Sequence, residues 1–250
     1  MTAAIEWQVL WPALLAGVVV LATHVPLGQE VLKRGIVFID LALAQVAVLG
    51  VIAAEVLGFA AHGLAVQAIA VGAALAGAAL LAWSERRFAA QQEALIGSLF
   101  VVAASAALLL LHHDPHGAEH LRDVLEGQIL WAEPGAVVVA AVASVTVLVL
   151  WFGVARARAR LFYPLFALSV TLAVQLVGVY LVFASLILPA LAVSRLGGRR
   201  LAAGYGLGAL AYAAGLLLSL ATDLPAAPLI VCLLAALVAV VWWRAPPVRG

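Results

Sequence analysis

Apolar residues run along this chain in blocks too long and too unbroken for the amphipathic helices of a water-facing domain. They cover about residues 7–25, 36–58, 62–83, 94–111, 135–153, 162–195, 201–221 and 226–243. A crossing of the hydrocarbon layer takes roughly 20 residues at 1.5 Å rise each, so most blocks read as single transmembrane helices. The block 162–195 is the exception, since as one straight helix it would reach about 50 Å. The pattern predicts an all-α polytopic membrane protein, one domain over 1–250, with about eight to nine transmembrane helices. All blocks are rich in Ala, Gly, Val and Leu, residues that let helix backbones approach closely in lipid. Gly72 and Gly77, in an alanine-rich face of the third block, give a weak packing signal of that kind.

The distribution of basic residues adds orientation. Thirteen Lys and Arg residues gather at Lys33-Arg34, Arg86-Arg87, Arg156/Arg158/Arg160, Arg195/Arg199/Arg200 and Arg244/Arg249, with Arg122 standing apart. Placing these clusters in the cytoplasm, as the positive-inside rule asks, puts the N-terminus outside and the C-terminus inside. Both ends of the long sixth block, at Arg160 and Arg195, then fall on the cytoplasmic side. The block must turn back, with Gly178 as the natural break and Pro189 a second irregularity. Broken helices at membrane depth are tolerated where they line protein or water-filled cavities, which makes 170–190 a candidate pathway lining. The alternative is a single crossing in which Arg195 and Arg199 break the rule.

Composition agrees with the pattern: 67% of residues are hydrophobic, 10% are charged, and mean hydropathy is +1.20. A soluble domain holds about 25% charged residues. Residues 7–23 lack a basic leader and a distinct cleavage site, so they read as the first span and not as a signal peptide. The single cysteine, Cys232, rules out a disulfide framework or a multi-thiolate metal site within one chain. A net charge of +1 gives no reason to expect nucleic acid as a partner.

Polar residues inside apolar blocks are costly and mark function by default. Asp40, Gln45 and Glu55 lie in the second block, His24 at the end of the first, His62 near the start of the third, and Gln175 in the sixth. On one helix Asp40 and Gln45 stand about 140° apart and roughly 7.5 Å along the axis, so they cannot chelate one ion together. Each would need a partner from another helix, such as His24 or Gln175. Asp40 also has a structural reading: close after Lys33-Arg34 and Gly35, it could be a helix-start carboxylate favoured by the dipole and paired with a nearby base. Glu55 and His62 could form an outer gate or simply reach headgroup water. The longest polar segment, 112–135, carries His112, His113, His116, Glu119 and His120. Imidazole and carboxylate suit divalent cations, and a solvated loop is the competing reading. Its end, His120 to Trp131, reads as a short amphipathic or re-entrant helix with Trp131 at the interface. There is no HExxH helix and no GxxxxGK[ST] loop, so neither a zinc hydrolase nor a nucleotide site is supported.

Three blocks in this order, HVPLGQEVLKRGIVFIDLALAQVAVLG (24–50), EALIGSLFVVAASAALLLLHHDPHGAEHLRDVLEGQILW (93–131) and LFYPLFALSVTLAVQLVGVYLVFASLILPA (161–190), resemble the permease subunits of the ABC importers of zinc, manganese or iron. The resemblance implies a type II ABC importer-like permease in a bacterial inner membrane. It further implies a homodimer, a cytoplasmic ATPase dimer, an extracytoplasmic metal-binding protein, no bound cofactor, and a divalent metal cargo, zinc first and manganese or iron next. Two departures stand out. Many members carry Asp-x-x-x-His in the second helix; here alignment sets Leu41 and Gln45 at those positions, with Asp40 one residue aside. The cytoplasmic segment that forms the coupling helix is reduced to Gly153–Arg160, GVARARAR, so docking would use other surfaces such as 84–93 or 196–200, or coupling is altered. An ion-coupled carrier and a non-transporting scaffold remain the alternatives.

Overall fold

The computed structural model describes residues 2–59, 63–111, 125, 127, 129–154, 158–194 and 200–244, with side chains from Leu10 onward. Nine α-helices are present among them: α1 (Thr2–Arg34), α2 (Ile39–Val56), α3 (Leu64–Arg87), α4 (Gln92–Leu111), α5 (Pro134–Gly153), α6 (Arg158–Val177), α7 (Val179–Val193), α8 (Arg200–Thr222) and α9 (Ala226–Arg244). Eight are long and apolar enough to cross a membrane; α7 is the short one. The boundaries follow local chemistry. α1 ends where Gly35 takes a positive φ of 71°, the conformation that commonly closes a helix. Pro134 opens α5 at a position where its missing N–H costs nothing. The first span is longer than its apolar block suggests, because the polar stretch from His24 to Arg34 stays helical.

α1, α2 and α6 form the centre. In α1 and α6, 67% of the membrane-length window is buried, against 17% for the window containing α4. Small residues set the approach distances. A Cβ on Gly28 would land on the Leu186 carbonyl oxygen of α7, and one on Gly77 of α3 would sit 3.2 Å from Leu43 Cδ2 of α2. Gly72, by contrast, faces open space, so only one of the two glycines singled out in α3 packs.

The sixth block breaks at Gly178, as its length and its flanking arginines require. Gly178 has φ 79° and ψ 164°, a region that only glycine occupies readily. Two observations fix the direction of each arm. α6 starts beside the C-terminal end of α1, where the Arg34 guanidinium lies 4.2 Å over the Phe162 ring. α8 runs antiparallel to α1, with Gly204 facing Val25, Gly208 facing Leu21 and Tyr212 facing Gly17. α7 is antiparallel to α8 in turn: Ser185 Oγ lies 2.8 Å from Tyr212 Oη while Pro189 faces Gly204. α7 therefore returns to the end from which α6 left. Only α7, with 15 residues, is short for a span; α6 has 20. Pro189 sits inside α7 without ending it. The break keeps its hydrogen bonds, since Gly178 N donates to Val174 O at 2.9 Å and Val182 N donates to Gly178 O at 3.1 Å.

The basic residues collect at one end of the bundle and are braced there. Arg34 Nε donates to Glu30 Oε1 at 3.0 Å, and Arg34 Nη1 lies 3.7 Å from Glu85 of α3. Gln92, at the start of α4, accepts from Ser84 Oγ at 2.9 Å and donates to Leu81 O at 3.1 Å and to Tyr163 Oη at 3.4 Å. At the start of α2, Glu93 Oε1 accepts from Val37 N at 3.1 Å.

Candidate functional site

The first turn of α2 carries Asp40. The preceding segment is drawn in by Gly35 and by the Val37–Glu93 bond, which puts the carboxyl into the packed interior instead of the headgroup region. Asp40 is 1% exposed, and its carboxylate has no partner beyond a weak contact with the backbone N–H of Leu41. It is at the helix start, not mid-helix, and the basic partner expected for a helix-start carboxylate does not engage it: Arg34 is turned toward Glu30 and Glu85. His24 of α1 is equally enclosed. Its Nδ1 lies 2.9 Å from Val20 O and 3.1 Å from Thr23 Oγ1, while Nε2 has no partner. A carbonyl can only accept, so Nδ1 carries the proton and Nε2 presents a lone pair.

A cleft of about 510 Å³ opens between α2, α4 and α7, with Leu125 and Val231 completing its wall. α2 contributes Leu41 and Gln45; α7 contributes Val179, Tyr180, Phe183, Ala184 and Leu188; α4 contributes Phe100, Ala104 and Leu108. Leu41 and Gln45 are four residues apart and about 40° apart around the helix, so they share the cleft face. Asp40 is turned about 100° from Leu41 and is absent from the wall. Phe38, one turn before Leu41, stacks on Phe183 with ring centroids 6.4 Å apart and planes 2° apart. At the other end Gly127 packs directly on the Val177–Gly178 backbone. Ile129, in a single 3-10 turn Ile129–Trp131, is buried, and Trp131 is 73% exposed. Gly127 thus covers the break, with the buried Ile129 close by in sequence.

The remaining sequence candidates are dispersed. Gln175 of α6 is exposed and lies outside the cleft wall, and Glu55 is half-buried near the end of α2. His62, His112, His113, His116, Glu119 and His120 lie outside the described residues. Among the described residues no three His, Cys, Asp or Glu side chains group closely enough to hold a metal ion. Tyr180 and Phe183 fall within 170–190, the stretch the sequence marks as a candidate pathway lining, but aromatic residues in an apolar block carry no individual mark.

Comparison with known proteins fits this geometry. No curated protein matches the chain. Its fold matches PsaBC from Streptococcus pneumoniae, solved in complex with Fab, at a TM-score of 0.77 and 21% identity, over 95% of this chain and 92% of that one. A second match, a structure described as an inward-facing metal-chelate type ABC transporter, has a TM-score of 0.66 and 17% identity, over 94% of this chain and 85% of that one. The family model of the ABC 3 transport family matches residues 6–158 and 153–245. With both halves of the chain covered, this polytopic helical protein belongs to the ABC 3 transport family.

Proposed function

We propose that the chain is the membrane subunit of an ATP-driven importer that brings a divalent metal into a bacterial cell, zinc first and manganese or iron next. One observation carries this reading. Gln45 of α2 and the start of α7, just past the break at Gly178, line a single cleft with the Phe38–Phe183 pair beside it. A cleft walled on one side by the helix that follows a break at membrane depth suits a gated passage. Two copies would face each other across it, and the structural neighbour described as a metal-chelate type transporter supports a cargo that contains a metal.

The basic end would face the cytoplasm, with the N-terminus outside, and would meet an ATPase pair. The turn between α3 and α4 offers Trp83 and Phe88, both exposed and packed edge to face at 5.8 Å, beside Arg86 and Arg87. Because Gln92 and Glu93 tie this turn to Tyr163 and to the start of α2, displacement there would be transmitted to the cleft wall. This turn would substitute for the shortened segment 153–160. The His-rich loop 112–120 would face an extracytoplasmic metal-binding protein. The test is co-purification with the ATPase encoded nearest to it, followed by hydrolysis assays in proteoliposomes with that binding protein loaded and unloaded. Cargo-stimulated hydrolysis is expected. Uptake by liposomes containing this chain alone would instead identify an ion-coupled carrier.

A further inference from the structure

We infer that the cleft is built for a metal already enclosed in a small uncharged organic chelate, and not for a bare dication. The inference rests on the importer reading above and specifies its cargo. Zinc is held by nitrogen, sulfur or carboxylate ligands, usually four of them, and manganese-like hard ions by six or more oxygens. Among the described residues the cleft wall supplies none of these as a charged group: the polar side chains there are the Gln45 amide and the Tyr180 hydroxyl. On the cleft face of α2, the position one turn before Gln45 is Leu41, and the nearby carboxylate of Asp40 is sealed in the core at 1% exposure.

Size points the same way. Six first-shell waters occupy about 180 Å³ at roughly 30 Å³ each, whereas the cleft measures about 510 Å³. That falls within the roughly 300–1,000 Å³ of small-molecule sites, which are apolar and carry a few orienting polar groups. The flat face of Phe183, backed by Phe38, suits the ring of a chelator. Gln45 and Tyr180 could hydrogen-bond the chelator's heteroatoms, leaving the metal coordinated by its own ligands.

The test uses the permease–ATPase complex with its binding protein in proteoliposomes and measures hydrolysis against Zn(II) and Mn(II) as aquo ions, bis(maltolato)zinc(II) with maltol in excess, and maltol alone. The chelate is expected to half-saturate at a concentration at least tenfold below that of either aquo ion, with maltol alone inactive. The pair Gln45→Leu and Tyr180→Phe should erase that difference. Leu41→Asp with Gln45→His, which sets a carboxylate and an imidazole one turn apart on the cleft face, should reverse the preference toward aquo Zn(II) by tenfold or more. Wild-type stimulation by aquo Zn(II) or Mn(II) equal to or better than by the chelate would overturn the inference and leave the importer reading intact. Absence of stimulation by every cargo, in a complex that hydrolyses ATP, would remove both. Occupancy is checked by maleimide labelling of Ala104→Cys in a Cys232→Ser background. The chelate should protect this site, and labelling already blocked without it would mean that a lipid or a second copy fills the cleft, which also overturns the inference.

Discussion

Replacing Asp40 with Leu should make the protein more stable and less active. Leu has the same branching as Asp, placing two methyl groups where the two carboxylate oxygens stand. Those oxygens are buried at 1% residue exposure with no partner beyond a weak contact with the Leu41 N–H. An unsatisfied buried polar group costs about 1–3 kcal/mol, and more when charged. Against this stands the overpacking of two methyl groups in a tight core, at about 1 kcal/mol in a site that can adjust. Setting about 2 kcal/mol for the carboxyl against about 1 kcal/mol for overpacking leaves a net gain of about 1 kcal/mol, and at about 2–4 °C per kcal/mol for a chain of this size the unfolding midpoint in detergent should rise by about 2–4 °C. Cargo-stimulated uptake should fall to background, because a polar group kept at such a cost is retained for function. Differential scanning fluorimetry of the purified permease reads the first outcome, and metal accumulation at matched membrane expression reads the second. An unchanged or lowered midpoint would refute the reasoning, since it would mean that Asp40 has a compensating partner. Normal accumulation in the variant would remove Asp40 from the transport machinery.

Gly178→Ala places a Cβ at φ 79° and ψ 164°; strain of about 1–3 kcal/mol should lower the midpoint by several degrees in the same fluorimetric assay. Gly28→Ala and Gly72→Ala form a matched pair. The first drives a Cβ into the Leu186 carbonyl and should destabilise, whereas the second meets nothing within 4 Å and should be neutral or stabilise by up to about 1 kcal/mol through helix propensity. Arg34→Met removes the partner of Glu30 and Glu85 and the cation over Phe162. It should cost about 1–3 kcal/mol, and hydrogen exchange should rise first at the ends of α1, α3 and α6.

The legible part of this molecule was the part set by the solvent. Lipid forces every backbone group into internal hydrogen bonds, so helix number, and even the return of the sixth block at Gly178, follow from block lengths and arginine positions. Interior contacts have no such marker. The continuation of α1 to Arg34 was hidden because His24, Gln29, Glu30, Lys33 and Arg34 interrupt the apolar pattern, yet the helix persists through polar pairs such as Arg34–Glu30. Glycine content did not tell Gly77, packed on Leu43, from Gly72, facing open space. At the site, the limit is one of angle. Hydropathy flags a carboxylate by its cost but not by the direction in which it points, and a single residue shifts that direction by about 100°. Asp40 and Leu41 are neighbours in sequence, yet one is enclosed in the core and the other lines the cleft. The group marked by its cost in the membrane is thus not in the wall. What the cargo would touch on α2 is Leu41 and Gln45, and that uncharged face constrains the chemistry of the cargo more tightly than the buried carboxylate does.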